Sequence, residues 1–283
     1  MRVACHHRGR VKDLKLKANE IRRDVVEMVY RANSGHPGGS LSCADVVAAL
    51  YFAVLRLDPK RPDWPDRDRF IMSKGHACPT WYAALARRGF FPREELWTLR
   101  QYQSILQGHP DMKKTPGVDM TSGSLGHGLS AGLGMALGAK LNGQDFNVYV
   151  LLGDGEIQEG MVWEAAMAAA QFRLDNLVAI VDYNGLQLDG TLGEVIGLEP
   201  LVDKWRSFGW TVFEIDGHDM EEILSTFDRA RKTSTPVAII AHTVKGKGVS
   251  YMEHQVGWHG AAPNEAQFKQ ALAELDEERG LIP

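Results

Sequence analysis

Apolar residues recur at Leu14, Ala18, Ile21, Val25, Met28 and Ala32, and these spacings of three and four predict an amphipathic helix from about Lys12 to Asn33. Gly35 and Pro37 end it. A second helix is predicted from Ser42 through Leu55, opening on the capping-box-like pair Ser42 and Asp45 and apolar on most of its faces, as a buried helix is. Further along the pattern shortens. Runs at Arg69–Met72, Phe146–Leu152, Leu177–Asp182, Thr211–Ile215 and Val237–His242 are rich in Val, Ile and aromatics and predict strands. Helical patterns over Met161–Phe172, Met220–Lys232 and Asn264–Glu278 lie between or after them, the last opening behind Pro263. This alternation calls for a parallel β-sheet with helices on both faces, an α/β fold. With no repeat or low-complexity linker to divide it, the expectation is one domain over residues 12–283 behind a flexible tail at 1–11.

Composition narrows the function classes. Hydrophobic residues make up 44% and charged residues 24%, and no apolar run approaches the roughly 18 residues that span a bilayer, so a membrane protein is not expected. Lys plus Arg number 32 against 36 Asp plus Glu, with no basic stripe among aromatics, so nucleic acid is not an expected partner. Cys5, Cys43 and Cys78 are odd in number and lack zinc or redox spacing; they read as reduced thiols of a cytoplasmic protein. Met1–Lys17 has no apolar core of the kind a secretory signal needs, and Cys5-His6-His7 reads as part of the loose tail rather than a metal site.

The sharpest local signal is Gly153-Asp154-Gly155, directly after a predicted strand and before the Ala-rich helix. Thirty residues on, just past the next strand, stands Asn184. A right-handed β-α-β crossover brings both side chains to the carboxyl ends of neighbouring parallel strands, where open α/β sheets bind ligands. A carboxylate and an amide oxygen converging there are hard ligands for Mg²⁺ or Ca²⁺, which phosphate oxygens and water commonly complete. The alternative is ordinary: a turn residue and an Asx-turn residue. A dinucleotide site fits poorly, because Gly153-Asp154-Gly155-Glu156-Ile157-Gln158 lacks the third glycine and sets a charge where pyrophosphate needs bare amides. Gly126-His127-Gly128-Leu129-Ser130-Ala131 has the glycines but no strand before it.

Five of the ten histidines, His36, His76, His109, His127 and His218, directly follow glycine, and His259 precedes one. Glycine flanks indicate loops with unusual freedom or close approach to a ligand.

These residues carry a resemblance. Gly153-Asp154-Gly155 with Gln158-Glu159-Gly160, Trp163-Glu164-Ala165 and Asn184 resembles the thiamine-diphosphate motif. Asn33-Ser34-Gly35-His36-Pro37-Gly38, Ser73-Lys74-Gly75-His76-Ala77, Gly108-His109-Pro110 and Pro116-Gly117-Val118 look like successive motifs of the transketolase family, in its order. The loop Ser122–Ser130, then Lys245-Gly246-Lys247-Gly248 and Trp258-His259-Gly260, continue the likeness over nearly the whole chain from Leu14. The resemblance implies a thiamine-diphosphate-binding, PP-type domain. It implies Asp154, Asn184 and the Leu186 carbonyl as metal ligands, and His76, Gly123, Leu125, Gly126, Gly153, Gly155, Glu159 and His259 around the cofactor. It also implies His36, His109 and His259 facing the substrate's oxygens, with Glu159, joined by Glu164, in a carboxylate network between two active sites. His218 reads as part of a structural turn, and His127 stands where the full-length pattern has glutamine.

In this superfamily a glutamate from a separate pyrimidine-binding domain activates the cofactor, and arginines of a further domain grip the sugar phosphate. Nothing after Asn184 resembles those parts. The expectation is therefore the N-terminal subunit of a split transketolase, transferring a two-carbon ketol unit between sugar phosphates with thiamine diphosphate and Mg²⁺ (or Ca²⁺), working with a C-terminal partner as a heterotetramer. Three readings stand beside it: a ketol transferase specialised for an unusual sugar phosphate, the alpha subunit of a 2-oxo acid dehydrogenase first component, and a cofactor-binding module without turnover.

Overall fold

The apolar stripe of the first helix is realised, buried from Leu14 to Met28 and half-buried at Ala32. A computed structural model describes residues 2–282, with side chains from Gly9 onward. In it α1 spans Arg2–Ala32, and Leu14, Ala18, Ile21, Val25 and Met28 are buried. The tail expected at 1–11 falls mostly outside the described side chains, as does Cys5-His6-His7; Gly9, Arg10 and Val11 belong to α1, and Val11 is buried.

The second predicted helix is corrected. The chain forms α2 (Pro37–Ser42), breaks at Cys43, then forms α3 (Ala44–Ala49), which runs into a π-helical turn at Leu50–Val54. Ser42 caps nothing, because its hydroxyl donates to the Gly39 carbonyl and to Asp182. Asp45 is drawn away to Arg22 and His218. Burial of the whole stretch, inferred from its apolar faces, is observed.

Five strands, β1 (Arg69–Met72), β2 (Val148–Gly153), β3 (Leu177–Tyr183), β4 (Thr211–Asp216) and β5 (Val237–His242), form one parallel sheet in the order β1-β2-β3-β5-β4. The remaining helices are α4 (Cys78–Arg88), α5 (His127–Leu141), α6 (Gly160–Gln171), α7 (Leu192–Val195), α8 (Leu201–Ser207), α9 (Met220–Ala230) and α10 (Glu265–Leu281). Of these, α4, α5, α7 and α8 have no counterpart among the elements expected from the sequence. The first carries a recognisable signature, Pro79 in its opening turn and Gly89 beyond its end at φ +90°.

Side chains alternate across the sheet and so build two cores. Phe70, Met72, Tyr149, Leu151, Val178 and Ile180 pack with α1, α3, α4 and α9. Ile71, Val148, Val150, Leu152, Ala179 and Val181 pack with α5, α6 and α8. Both faces are therefore covered, as a parallel sheet requires, and the carboxyl ends of β1, β2, β3 and β5 open together on one edge.

Candidate functional site

The loop after β2 and the loop after β3 are tied at their tips. Asp154, buried at the end of β2, accepts from the Gly155 amide at 2.8 Å and from the Gly185 amide at 2.6 Å. Gly185, at φ +78°, follows Asn184 directly, so the carboxylate clasps the neighbouring loop beside the amide side chain. Asn184 Oδ1 accepts from the Leu186 amide at 3.2 Å, which is an Asx turn, and its Nδ2 donates to Asp182 at 3.3 Å. The turn and the ligand set are thus compatible, since an accepting oxygen retains a second lone pair.

Asp154, Asn184 and Leu186 line a cleft of about 280 Å³ at the carboxyl edge of the sheet, together with Gly153 and Gly155. His36, His76, His109, His259, Gly123 and Leu125 line it too, brought from separate loops. Ring centroids lie 5.2 Å apart for His36 and His76, 5.6 Å for His36 and His259, 5.1 Å for His76 and His259, and 6.5 Å for His36 and His109.

The protonation of two rings follows from their neighbours. Guanidinium and ammonium groups only donate, so His36 Nδ1 accepts from Arg100 at 3.3 Å and His259 Nδ1 from Lys245 at 3.0 Å, and each keeps its hydrogen on Nε2. Burial, then the Arg100 charge, push His36 down to about 4. Burial, then Lys245, push His259 down to about 4 as well. Burial also drives His76 well below its ordinary value, and His109 is lowered by burial and Arg100. At neutral pH the cleft thus presents neutral imidazoles, able to donate and accept around a carbonyl oxygen.

Two expected residues do not line the cleft. Glu159 is exposed, at the residue preceding α6. Gly126 is buried at φ +83° and spends its amide on Glu156 at 2.9 Å. Glu164 and His127 are exposed as well.

Several residues were not singled out from sequence. Glu156 is buried and accepts from the amides of Gly126 and Gly153 at 2.9 Å each and from the Ser73 hydroxyl, binding three cleft loops together. Beneath the cleft, buried Lys74 donates to the Gly39 carbonyl at 2.7 Å and pairs with Asp182, which also accepts from Ser42 and Thr243. Lys245, 2% exposed, reaches the Leu186 carbonyl at 3.3 Å, and burial pushes its ammonium down to about 8. Lys74 and Lys245 stand inside quoted motifs, but their sequence spacing carries no sign that they turn inward.

The donor set suits a hard divalent cation carrying an anion. Among the described residues no cationic side chain forms an ion pair with Asp154, and burial followed by the Asp182 charge pushes its carboxyl up to about 6, as an unmatched buried carboxylate behaves. The Gln187 amide nitrogen, also in the cleft, is buried without a partner. The oxygen set of Asp154, Asn184 and the Leu186 carbonyl, all lining the one cleft, is the candidate.

Comparison with known proteins decides the family. Residues 14–278 match the family model described as the transketolase, thiamine diphosphate binding domain. The chain belongs to this transketolase family. It is 48% identical over 268 residues to a protein named as one subunit of the apulose-4-phosphate transketolase of Phocaeicola vulgatus, covering 94% of this chain and 95% of that one. It is 48% identical over 267 residues to the 6-deoxy-6-sulfo-D-fructose transketolase subunit SqwG of a Clostridium species, covering 94% and 97%. Among solved structures, the transketolase of Campylobacter jejuni superposes with a TM-score of 0.88 at 36% identity; the match covers 94% of this chain and 42% of that transketolase. The transketolase family therefore holds, with a domain of the thiamine-diphosphate-binding type, and the 2-oxo acid dehydrogenase reading is set aside. No helix among the described residues is long and apolar enough to cross a membrane.

Proposed function

We propose that this chain is the diphosphate-holding subunit of a two-chain transketolase, moving a two-carbon ketol unit from a ketose phosphate to an aldose phosphate. The observation that carries the proposal is the clasp of Asp154 onto the Asn184 loop in the same cleft that gathers His36, His76, His109 and His259. Asp154, Asn184 and the Leu186 carbonyl would hold Mg²⁺ (or Ca²⁺), and through it the diphosphate; Gly153, Gly155 and His76, with Gly123 and Leu125 across the opening, would bound the cofactor. Bound thiamine diphosphate supplies the carbon nucleophile that carries the ketol unit. His36, His109 and His259 orient the substrate and exchange protons at its hydroxyl and carbonyl oxygens, and the Nε2 hydrogens of His36 and His259 supply fixed donors where charge develops. Gly126 acts through Glu156 as a support of the loop. Exposed Glu159 and Glu164 are free to meet a second chain, as a carboxylate network between two sites requires.

The partner would bring the pyrimidine-binding and C-terminal domains, completing a cytoplasmic heterotetramer in which residues 12–283 act as a single domain. Support comes from the two relatives at 48% identity, both of them subunits by name and matched over nearly their whole length. Their names, one with a sugar phosphate and the other with a sulfonated sugar, also favour an unusual anionic sugar over the pentose phosphate pathway as the setting. Co-expression with a C-terminal transketolase partner, followed by a donor and acceptor panel, tests the reading. Turnover should require both chains and thiamine diphosphate, and His36→Ala or His259→Ala should lower it by about a hundredfold with cofactor affinity little changed. Ketol transfer by neither chain pairing, or equal losses in turnover and affinity, would refute it.

A further inference from the structure

His218 belongs to the turn between β4 and α9, outside the cleft, yet both its ring nitrogens are committed. Nε2 accepts from the Val244 amide at 2.9 Å, and Nδ1 meets Asp45 Oδ2 at 2.8 Å. A backbone amide can only donate, so Nε2 is the bare nitrogen and Nδ1–H donates to Asp45. Asp45 is itself fixed: it is buried, forked by the Arg22 guanidinium of α1, and held down to about 2 as Arg22 and then His218 outweigh the effect of burial. The turn that carries His218 is equally constrained. The Gly217 amide donates to the His242 carbonyl at 2.8 Å, and a Cβ at Gly217 would stand 2.4 Å from the Thr243 methyl.

Val244 lies between two residues that serve the cleft. Thr243 donates to Asp182, the carboxylate beneath Asn184. Lys245 turns into the cleft, 3.3 Å from the Leu186 carbonyl and 3.0 Å from His259. The Val244 carbonyl closes a local turn with the Lys247 amide at 3.1 Å, so the amide bonded to His218 is what ties Val244 to another part of the fold. The geometry points to His218 as a positioning residue: it anchors the Val244 amide to the rigid Asp45–Arg22 pair and thereby aims Lys245 at His259 and at the diphosphate end of the cleft. This rests on the reading of the cleft as a diphosphate site.

Two substitutions separate the halves of the contact. Gln places its carbonyl oxygen near Nε2 and keeps an acceptor for Val244; Asn places its amide near Nδ1, keeping the donor to Asp45 and losing Val244. In the full chain without ligand, His218→Asn should speed hydrogen exchange of the Val244 amide, in the strap of residues 243–248, by about tenfold or more, while β4 and the strap's other ties, Thr243 to the Tyr183 carbonyl and Gly246 to the Gly38 carbonyl, stay as in the parent. His218→Gln should leave that exchange near the parent rate. Titrated with inorganic diphosphate and Mg²⁺, His218→Asn should bind about tenfold more weakly than the parent, and should add nothing in a Lys245→Met background. A purely structural histidine would instead lower Tm in both variants alike, with unchanged strap exchange and affinity, and that result overturns the assignment; so does equal loss of affinity in the two variants. Failure of the parent chain to bind diphosphate would count against the cleft's reading, while strap exchange would still decide the role of His218.

Discussion

At the scale of single residues, the cleft separates side chains that announce their chemistry from side chains that only the fold reveals. Asp154 is legible less from its spacing to Asn184, which suits two turn residues as well as a ligand pair, than from the motif around it, and the histidines are legible because glycines frame them. Lys74, Asp182 and Glu156 are not. Each is a charged residue in or beside an apolar strand, and nothing in sequence tells a buried charge from a solvated one until its partner is placed. The Lys74–Asp182 pair is the clearest case: burial works against both charges, and each is nevertheless held in its charged form by the other. Lys74→Met should therefore cost about 3–5 kcal/mol, because Asp182 is left buried without its cation, and adding Asp182→Asn should restore part of it. Urea unfolding of the parent, single and double variants measures this; a loss below about 1 kcal/mol in the single variant would mean the pair behaves as a surface contact.

At the scale of elements, the five strands could be read because runs of Val, Ile and aromatics flag buried parallel strands, and their ends moved by two residues or fewer. Ser42 misled because its hydroxyl serves a tertiary contact in place of a helix cap. The unread α5 has a different cause. It is rich in glycine and its apolar residues are spread around its faces, so it shows no clear 3.6-residue stripe, and its glycines do unlike jobs. Gly128 lies against Ser73, where a Cβ would come within 2.3 Å of the hydroxyl oxygen and 2.9 Å of Cα, whereas Gly134 has open space around it. Gly128→Ala should destabilise the chain by about 1–3 kcal/mol through overpacking. Gly134→Ala should stabilise the separate chain by about 0.5–1 kcal/mol through helix propensity. Thermal unfolding of both variants checks the pair, and a loss in each would place Gly134 in a packed seam.

At the scale of the whole molecule, the cleft makes stability depend on pH. His36 titrates at about 4 in the fold and near 6.5 in the unfolded chain, so between those values the unfolded state binds more protons and stability drains as pH falls. Asp154, raised to about 6, acts in the opposite sense between about 4 and 6, so the test must isolate one ring. His36→Asn removes the proton that burial excludes, and its stability relative to the parent should improve as pH is lowered from 7 to 5; a difference constant across that range would argue against the shifted imidazole. The proposed metal-bridged diphosphate is tested most directly by calorimetric titration of the assembled two-chain protein with thiamine diphosphate. Saturable binding in Mg²⁺ should vanish with a chelator and in Asp154→Ala, with the variant still folded by circular dichroism, whereas equal affinity in all three would rule out the bridge.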